Sequence, residues 1–572
     1  MARTKAKTGD EPDRPDYVLP DRELVVVAEP SARLRAGRGE VQAAPGTETA
    51  ALNALLAEEG VALEPLFGAS EERTRAAGEA LSGIGGAEVP DLSIYYRVRA
   101  EDERLEDLAE SLAKLPGIAQ AYVKPAAEPA VPQLEDEVLE RRTSAAADTP
   151  PVTPDFTAGQ GYLLAAPGGV DAVYAATVAG GRGAGIDIID IEGAWNFAHE
   201  DLVQNQGGVV GGTPTNDQAW RNHGTAVVGE FGGDVNGFGV TGISPDAQVR
   251  AISIFGNSSA AAIHQAATLL SAGDVILIEL HRPGPRFNFQ VRNDQRGYIA
   301  MEWWPDDFAA IQFATAKGVI VVEAAGNGAE DLDDAIYDTP AAGFPATWRN
   351  PFNPNNPSSL AVVVGAGAPP PGTHGQDHGP DRSRLDFSNY GARVDAQGWG
   401  REVTTTAYGN LQGGAENVWY TSTFSGTSSA SPIVVGSLAC LQGILQAAGQ
   451  TLLTPAGAIQ VLRTTGSPQQ DAPGRPATQR IGRRPDIRAA VASLMAVAVQ
   501  SGIATQFWDE ELAYPAGTPA SLWLDVDGGW RKRDGASPHE RTMVQRAFAA
   551  GGQQVRVWYQ GGEIVGLVVD DA

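Results

Sequence analysis

One cysteine, Cys440, stands in 572 residues. That excludes an intramolecular disulfide framework. Cationic side chains are scarce too: 42 Lys and Arg face 70 Asp and Glu, a formal charge of −28. Phosphate backbones are met by positive surfaces, so no nucleic-acid partner is expected. A polybasic membrane anchor is excluded on the same ground. No apolar run is read as approaching the ~18 residues of a membrane span. The start, MARTKAKTGDEPDRPDY, has no apolar stretch of the secretory kind. The expectation is a cytoplasmic or non-classically exported chain, with residues 1–20 a disordered polar leader. What is plentiful is glycine (68) and proline (38) around a 42% hydrophobic composition, which predicts a globular chain with many tight loops.

Residues 21–126 read as a small domain. Strand-like runs at 23–28, 61–67, 92–98 and 118–124 alternate with helical spacings. Leu52, Leu55 and Leu56 mark one helix, and Leu105, Leu108, Leu112 and Leu115 another, ending at Pro116-Gly117. The order β-α-β-β-α-β is the ferredoxin-like plan. Residues 127–155, rich in Pro, Ala and acids, read as a linker with Arg141-Arg142 as one candidate processing point. From 156 to 500, Val/Ile runs at 183–190, 247–255, 274–280, 318–326 and 359–367 are separated by helical stretches. This predicts an α/β domain with a parallel sheet flanked by helices. Residues 501–572 read as a small β module, with a hairpin around Gly561-Gly562 and Trp508, Trp523, Trp530 and Trp558 as core.

Four residues sit where such sheets place chemistry. Ser428, in SGTSSASP, opens a helix, where unpaired N–H groups and the dipole favour an oxyanion. His223, in NHGTA, stands beside a glycine at a helix start. Asp190 ends the apolar run IDIID and could accept a histidine Nδ1–H. Asn327, between glycines after a buried strand, could donate to an oxyanion or simply turn the chain.

Taken together, the IDIID strand end, NHGTAV, AAGNG and SGTSSASP resemble the subtilisin-like serine proteases. The resemblance implies Ser428 as nucleophile, His223 as base then acid, Asp190 as its orienter, and Asn327 with the Ser428 N–H as oxyanion hole. It implies a serine endopeptidase made as an autoprocessed zymogen, with residues 21–126 as an inhibitory propeptide whose tail enters the cleft. Two variants of that reading stay open: a dedicated maturation protease with one partner substrate, and an inactive scaffold. No cofactor is required; a structural Ca²⁺ in the acidic loop 330–334 is an alternative use of those residues. Glu279, Leu280 and His281 fall where this family pairs with substrate backbone, and Glu279 with Glu330, Asp331, Asp333 and Asp334 suggests a preference for basic side chains. Sedolisin-type peptidases use Ser-Glu-Asp, and Glu192 shares a strand face with Asp190. His223, and Asn rather than Asp at 327, speak against that version. Residues 282–305 read as an insertion with Phe287, Phe289, Tyr298, Trp303 and Trp304, either a lid or a loop with its own small core. Cys440 reads as a packing residue.

Overall fold

A computed structural model describes residues 17–37, 40–68, 70–85, 89–130, 152–495, 500–510, 520–550, 553–560 and 563–571. Arg141-Arg142 and Gly561-Gly562 lie outside them. The chain divides into two compact units, 1–490 and 491–572.

The first unit begins with the expected ferredoxin-like order: β1 (Glu23–Ala28), α1 (Ala50–Glu59), β2 (Leu63–Pro65), α2 (Glu71–Gly85), β3 (Tyr95–Val98), α3 (Leu105–Leu112) and β4 (Ile118–Lys124). The antiparallel sheet has the order β2-β3-β1-β4. Helix α2 occupies what reads as a Gly/Ala-rich loop; its Ala and Glu residues favour helix. In β1, Leu24, Val26 and Ala28 pack with Leu52, Leu56, Leu105, Leu108 and Leu112. Val25 and Val27 point the other way. They join Tyr122 in a core with Ala262, Ala266, Ala309 and Phe313 of the large domain. A continuous apolar strand in an antiparallel sheet means both faces are covered, and here the second cover is the domain that follows.

That contact also carries buried charge. Lys124 Nζ donates to Asp306 Oδ2 at 2.6 Å and Asp307 Oδ2 at 3.2 Å, and lies 3.3 Å from Glu23 Oε2. Arg282 donates to Glu23 at 2.8 Å and to the Pro125 carbonyl. Tyr122 Oη donates to Asp306 at 2.9 Å.

The large domain holds β6 (Asp187–Glu192), β7 (Gln206–Gly211), α4 (Gln218–Gly232), β8 (Gln248–Ser253), α5 (Ser259–Leu269), β9 (Val275–Ile278), β10 (Leu280–Pro283), β11 (Tyr298–Ala300), α6 (Pro305–Ala316), β12 (Ile320–Ala324), β13 (Val362–Gly367), β14 (Val394–Trp399) and α7 (Thr427–Ala447). Seven strands form a parallel sheet in the order β14-β13-β12-β9-β6-β8-β7. The α/β reading holds. Strands β7 and β14 escape a hydrophobicity scan, because β7 carries three glycines and β14 buries Asp395 and Gln397. Helix α7 corrects the reading that no segment suits a membrane: it is long and apolar enough to cross one, yet wholly buried. Cys440 on it is buried as expected. In 282–305, Phe289, Trp303 and Trp304 cluster with Phe344 at ring distances of 5.0–6.0 Å. They belong to the main core of the large domain rather than to a small core of their own.

The second unit is a closed barrel of Gln500–Asp509, Ser521–Val526, Gly529–Asp534, Gln553–Gln560 and Glu563–Asp571, with a helix at Pro538–Ala550. Its core is aliphatic, built on Leu522, Leu524, Val526, Val544, Val555 and Val557. Trp508 (65% exposed), Trp530 and Trp558 face solvent, which corrects their reading as core.

Removing Lys124 takes the near cation from two buried carboxylates, leaving Asp306 on Tyr122 and Asp307 with Arg282 at 3.7 Å. Lys124→Ala is expected to cost roughly 3–5 kcal/mol. Urea unfolding of the full chain reads this, and an unchanged midpoint contradicts it.

Candidate active site

Asp217 caps α4, its Oδ1 accepting from Ala219 N at 2.8 Å and Trp220 N at 3.2 Å. His223 therefore lies in the second turn, not at the start. Gly224 follows because α4 presses on the end of β6: a Cβ there would meet the Ala194 carbonyl at 2.4 Å and Glu192 Oε2 at 2.7 Å. His223 Nδ1 lies 2.6 Å from Glu192 Oε1, both side chains fully buried. Asp190 takes a different partner, Trp195 Nε1, at 2.7 Å. This corrects the expectation that Asp190 orients the histidine. A strand period of 2 puts Asp190 and Glu192 on one face. Glu192, two residues further along, reaches α4.

Asn327 Oδ1 accepts from Thr427 N at 2.9 Å and Thr427 Oγ1 at 3.0 Å. Those bonds orient the amide. Its Nδ2 is buried and has no acceptor among the described residues. A buried donor without a partner costs about 1–3 kcal/mol. It is tolerated where function needs a waiting donor. Ser428 lies at the start of α7, behind Gly426, whose φ of 112° suits glycine.

The cleft is filled by the chain's own tail. Strand β5 (Glu128–Pro129) pairs antiparallel with β10, Pro129 opposite Leu280 and Glu128 opposite His281. Ser428 Oγ donates to the Ala130 carbonyl at 3.1 Å. Gln295 Nε2 donates to the Pro129 carbonyl at 3.0 Å. Residues 127–130, read as linker, are thus a buried, ordered segment. Residues 17–20, read as leader, are also ordered: Val18 N donates to Asp217 and Trp220 Nε1 donates to the Val18 carbonyl.

Leu280 and His281 form the ladder with the chain's own tail. The pairing does not include Glu279, whose side chain is buried among acids. Burial, with Asp190 and Glu192 nearby, holds its carboxyl well above the usual range, against the Ser428 and Ser431 hydroxyls. Of the acids after Asn327, Glu330 and Asp334 are held by Arg286, at 2.9 Å and 2.7 Å. Burial pushes Asp190, Glu192 and Glu230 up too. Burial, with His223 nearby, pushes His281 down to about 3, so it is neutral and its Nδ1 accepts from Asn327 N at 3.3 Å. Among the described residues no cluster of three or more His, Cys, Asp or Glu could hold a metal ion.

The profile of the subtilase family matches residues 189–482, just over half of the chain. The protein belongs to the subtilase family. The match spans Glu192, His223, Asn327 and Ser428. Curated relatives include the alkaline protease of Alkalihalobacillus alcalophilus, 27% identical over 251 residues, 43% of this chain and 50% of that protein. Subtilisin BL of Lederbergia lenta is 27% identical over 251 residues, covering 71% of its length. The chain thus spans half to about 70% of these relatives. Among solved structures, this subtilase is similar to the epidermin leader peptide processing serine protease of Staphylococcus aureus (18% identity, 82% of this chain, 98% of that chain, TM-score 0.46). It is also similar to the patellamide maturation protease (23% identity, 55% and 97%, TM-score 0.38).

Reading the residues alone missed Glu192 as the histidine's partner, and Arg282, Gln295 and Tyr298 as neighbours of the tail. The shared face of Asp190 and Glu192 was the available signal for the first. The pairing predicts that Glu192→Gln lowers peptide hydrolysis by roughly 10³–10⁴, as expected when a histidine loses its orienting carboxylate. Asp190→Asn keeps an acceptor for Trp195 and is expected to stay within about tenfold. Steady-state rates on a chromogenic peptide separate the two, and equal losses contradict the assignment.

Proposed function

We propose that this subtilase is a serine endopeptidase made as a zymogen, and that its first substrate is its own Ala130–Val131 bond. The observation that carries this is the Ala130 carbonyl against Ser428 Oγ, at the end of a tail paired like a strand of substrate. In this reading Ser428 Oγ attacks the Ala130 carbonyl carbon while His223 takes its proton. Glu192 holds the Nδ1–H and stabilises the imidazolium. Asn327 Nδ2 and the Ser428 N–H receive the oxyanion; loss of one such donor costs about 10²–10³ in rate. The C–N bond then breaks, His223 returns the proton to the Val131 nitrogen, and water attacks the acyl-enzyme by the same base. Until residues 17–130 leave, they act as an intramolecular inhibitor.

The test is mass spectrometry of the purified chain beside Ser428→Ala. Wild type is expected to lose its N-terminal segment and then to label with a fluorophosphonate at Ser428. Ser428→Ala is expected to stay at full mass. Equal cutting of both in isolation contradicts self-processing.

Release has a pH dependence. Burial raises Glu128 to about 7, against hydrogen bonds from Tyr17 and Tyr298 and the charge of Arg282. The docked tail therefore binds a proton that the free tail, near 4.5, does not. Its contribution to docking is full below the free value and is lost as pH rises through about 7. Inhibition by the cut segment is expected to weaken on the order of tenfold to a hundredfold between about pH 5 and 8. Glu128→Gln is expected to flatten that profile, and an unchanged slope contradicts it.

A further inference from the structure

We infer that the cleft carries a subsite for an acidic side chain two residues before the residue whose carbonyl is attacked, with Tyr298 as its specificity-determining residue. The inference rests on the reading of Ala130–Val131 as the bond that is cut. Glu128, at that position, is fully buried. Its Oε1 accepts from Tyr298 Oη at 2.6 Å and its Oε2 from Tyr17 Oη at 2.6 Å. A carboxyl group is taken out of water only where both oxygens find donors.

The pocket is built rather than incidental. Tyr298 Oη accepts from Arg292 N at 3.0 Å, so its own proton is turned to Glu128. Its ring packs on His281 at 4.7 Å, and His281 pairs with Glu128 through the backbone. Burial raises this carboxyl to about 7 against the charge of Arg282, next along β10, so the docked acid is held with its proton below that pH.

The two tyrosines have different fates. Tyr17 lies on the N-terminal side of the cut and leaves with the tail. Tyr298, Arg292, His281 and Arg282 belong to the large domain and remain. The processed enzyme thus keeps one phenol donor, Tyr298, for the acid of an incoming substrate. Gln295 holds the next carbonyl, that of Pro129, and the small Ala130 sits at Ser428. The motif read is acid–Pro–Ala. A lysine in place of Glu128 would set its ammonium beside Arg282, with no acceptor matched to its three protons.

The test uses the full chain after its own processing, with acetyl-Ala-Glu-Pro-Ala p-nitroanilide and its Gln and Lys counterparts at about pH 5, where the docked acid keeps its proton. A neutral hydrogen bond is worth roughly two- to tenfold. The Glu peptide is expected to exceed the Gln peptide, whose amide turns an N–H₂ towards Arg282, in kcat/KM by about threefold, and the Lys peptide by more. Tyr298→Phe is expected to shrink the Glu-to-Gln ratio towards one, a ratio that a general folding defect does not move. Equal cleavage of the three peptides by wild type overturns the subsite and leaves the protease reading standing. Absence of any Ser428-dependent hydrolysis overturns the protease reading, and the subsite with it.

Discussion

Taking a carboxyl group out of water costs several kcal/mol unless hydrogen bonds or a counter-charge replace the lost hydration. The first unit of this subtilase is arranged around that constraint. At the end of β6, Glu192 is buried on the His223 imidazole. Where the two domains meet, Asp306 and Asp307 are buried on Lys124. In the cleft, Glu128 is buried under two tyrosine hydroxyls. Each arrangement holds only while its partner is in place. Two of the three partners cross between the N-terminal segment and the large domain. The charge that organises the precursor is thus the charge that would be uncovered when the segment leaves.

The same segment supplies apolar contact that charge alone could not. Strand β1 buries Val25 and Val27 against the large domain and Leu24 and Val26 against its own helices. From β4, which ends at Lys124, the chain runs through Pro125 into the five residues 126–130 that reach Ser428. Docking of the domain therefore fixes the register of the tail. Main-chain pairing of Glu128 and Pro129 with β10 carries that register to the carbonyl of Ala130. Proximity of this kind makes attack intramolecular, which is worth several kcal/mol of barrier.

Much of this was legible in the residues. Ser428, His223 and Asn327 stand at strand ends and helix turns that glycines make narrow, and Asn327 is bonded to Thr427, the neighbour of Ser428. The acid was read as Asp190 instead of Glu192, because the two share a face and only the packing of α4 selects between them. The tail was read as linker for a plain reason: AAEPA has no apolar pattern, and it is buried by backbone pairing rather than by its side chains. Strand β14 hid for a related reason, since Asp395 is buried on Arg463 instead of facing water. The tryptophans of the barrel erred the other way. Aromatic area suggested core, while Leu522, Leu524 and Val557 already fill it.

The central claim is that the tail seen in the cleft is the first substrate and is cut within its own molecule. The most direct measurement is the rate at which a chain beginning at Val131 appears, followed by intact mass over a hundredfold range of protein concentration. The account predicts one rate constant at all concentrations and a cut between Ala130 and Val131. A rate that scales with concentration, or a first cut at another bond, would contradict it.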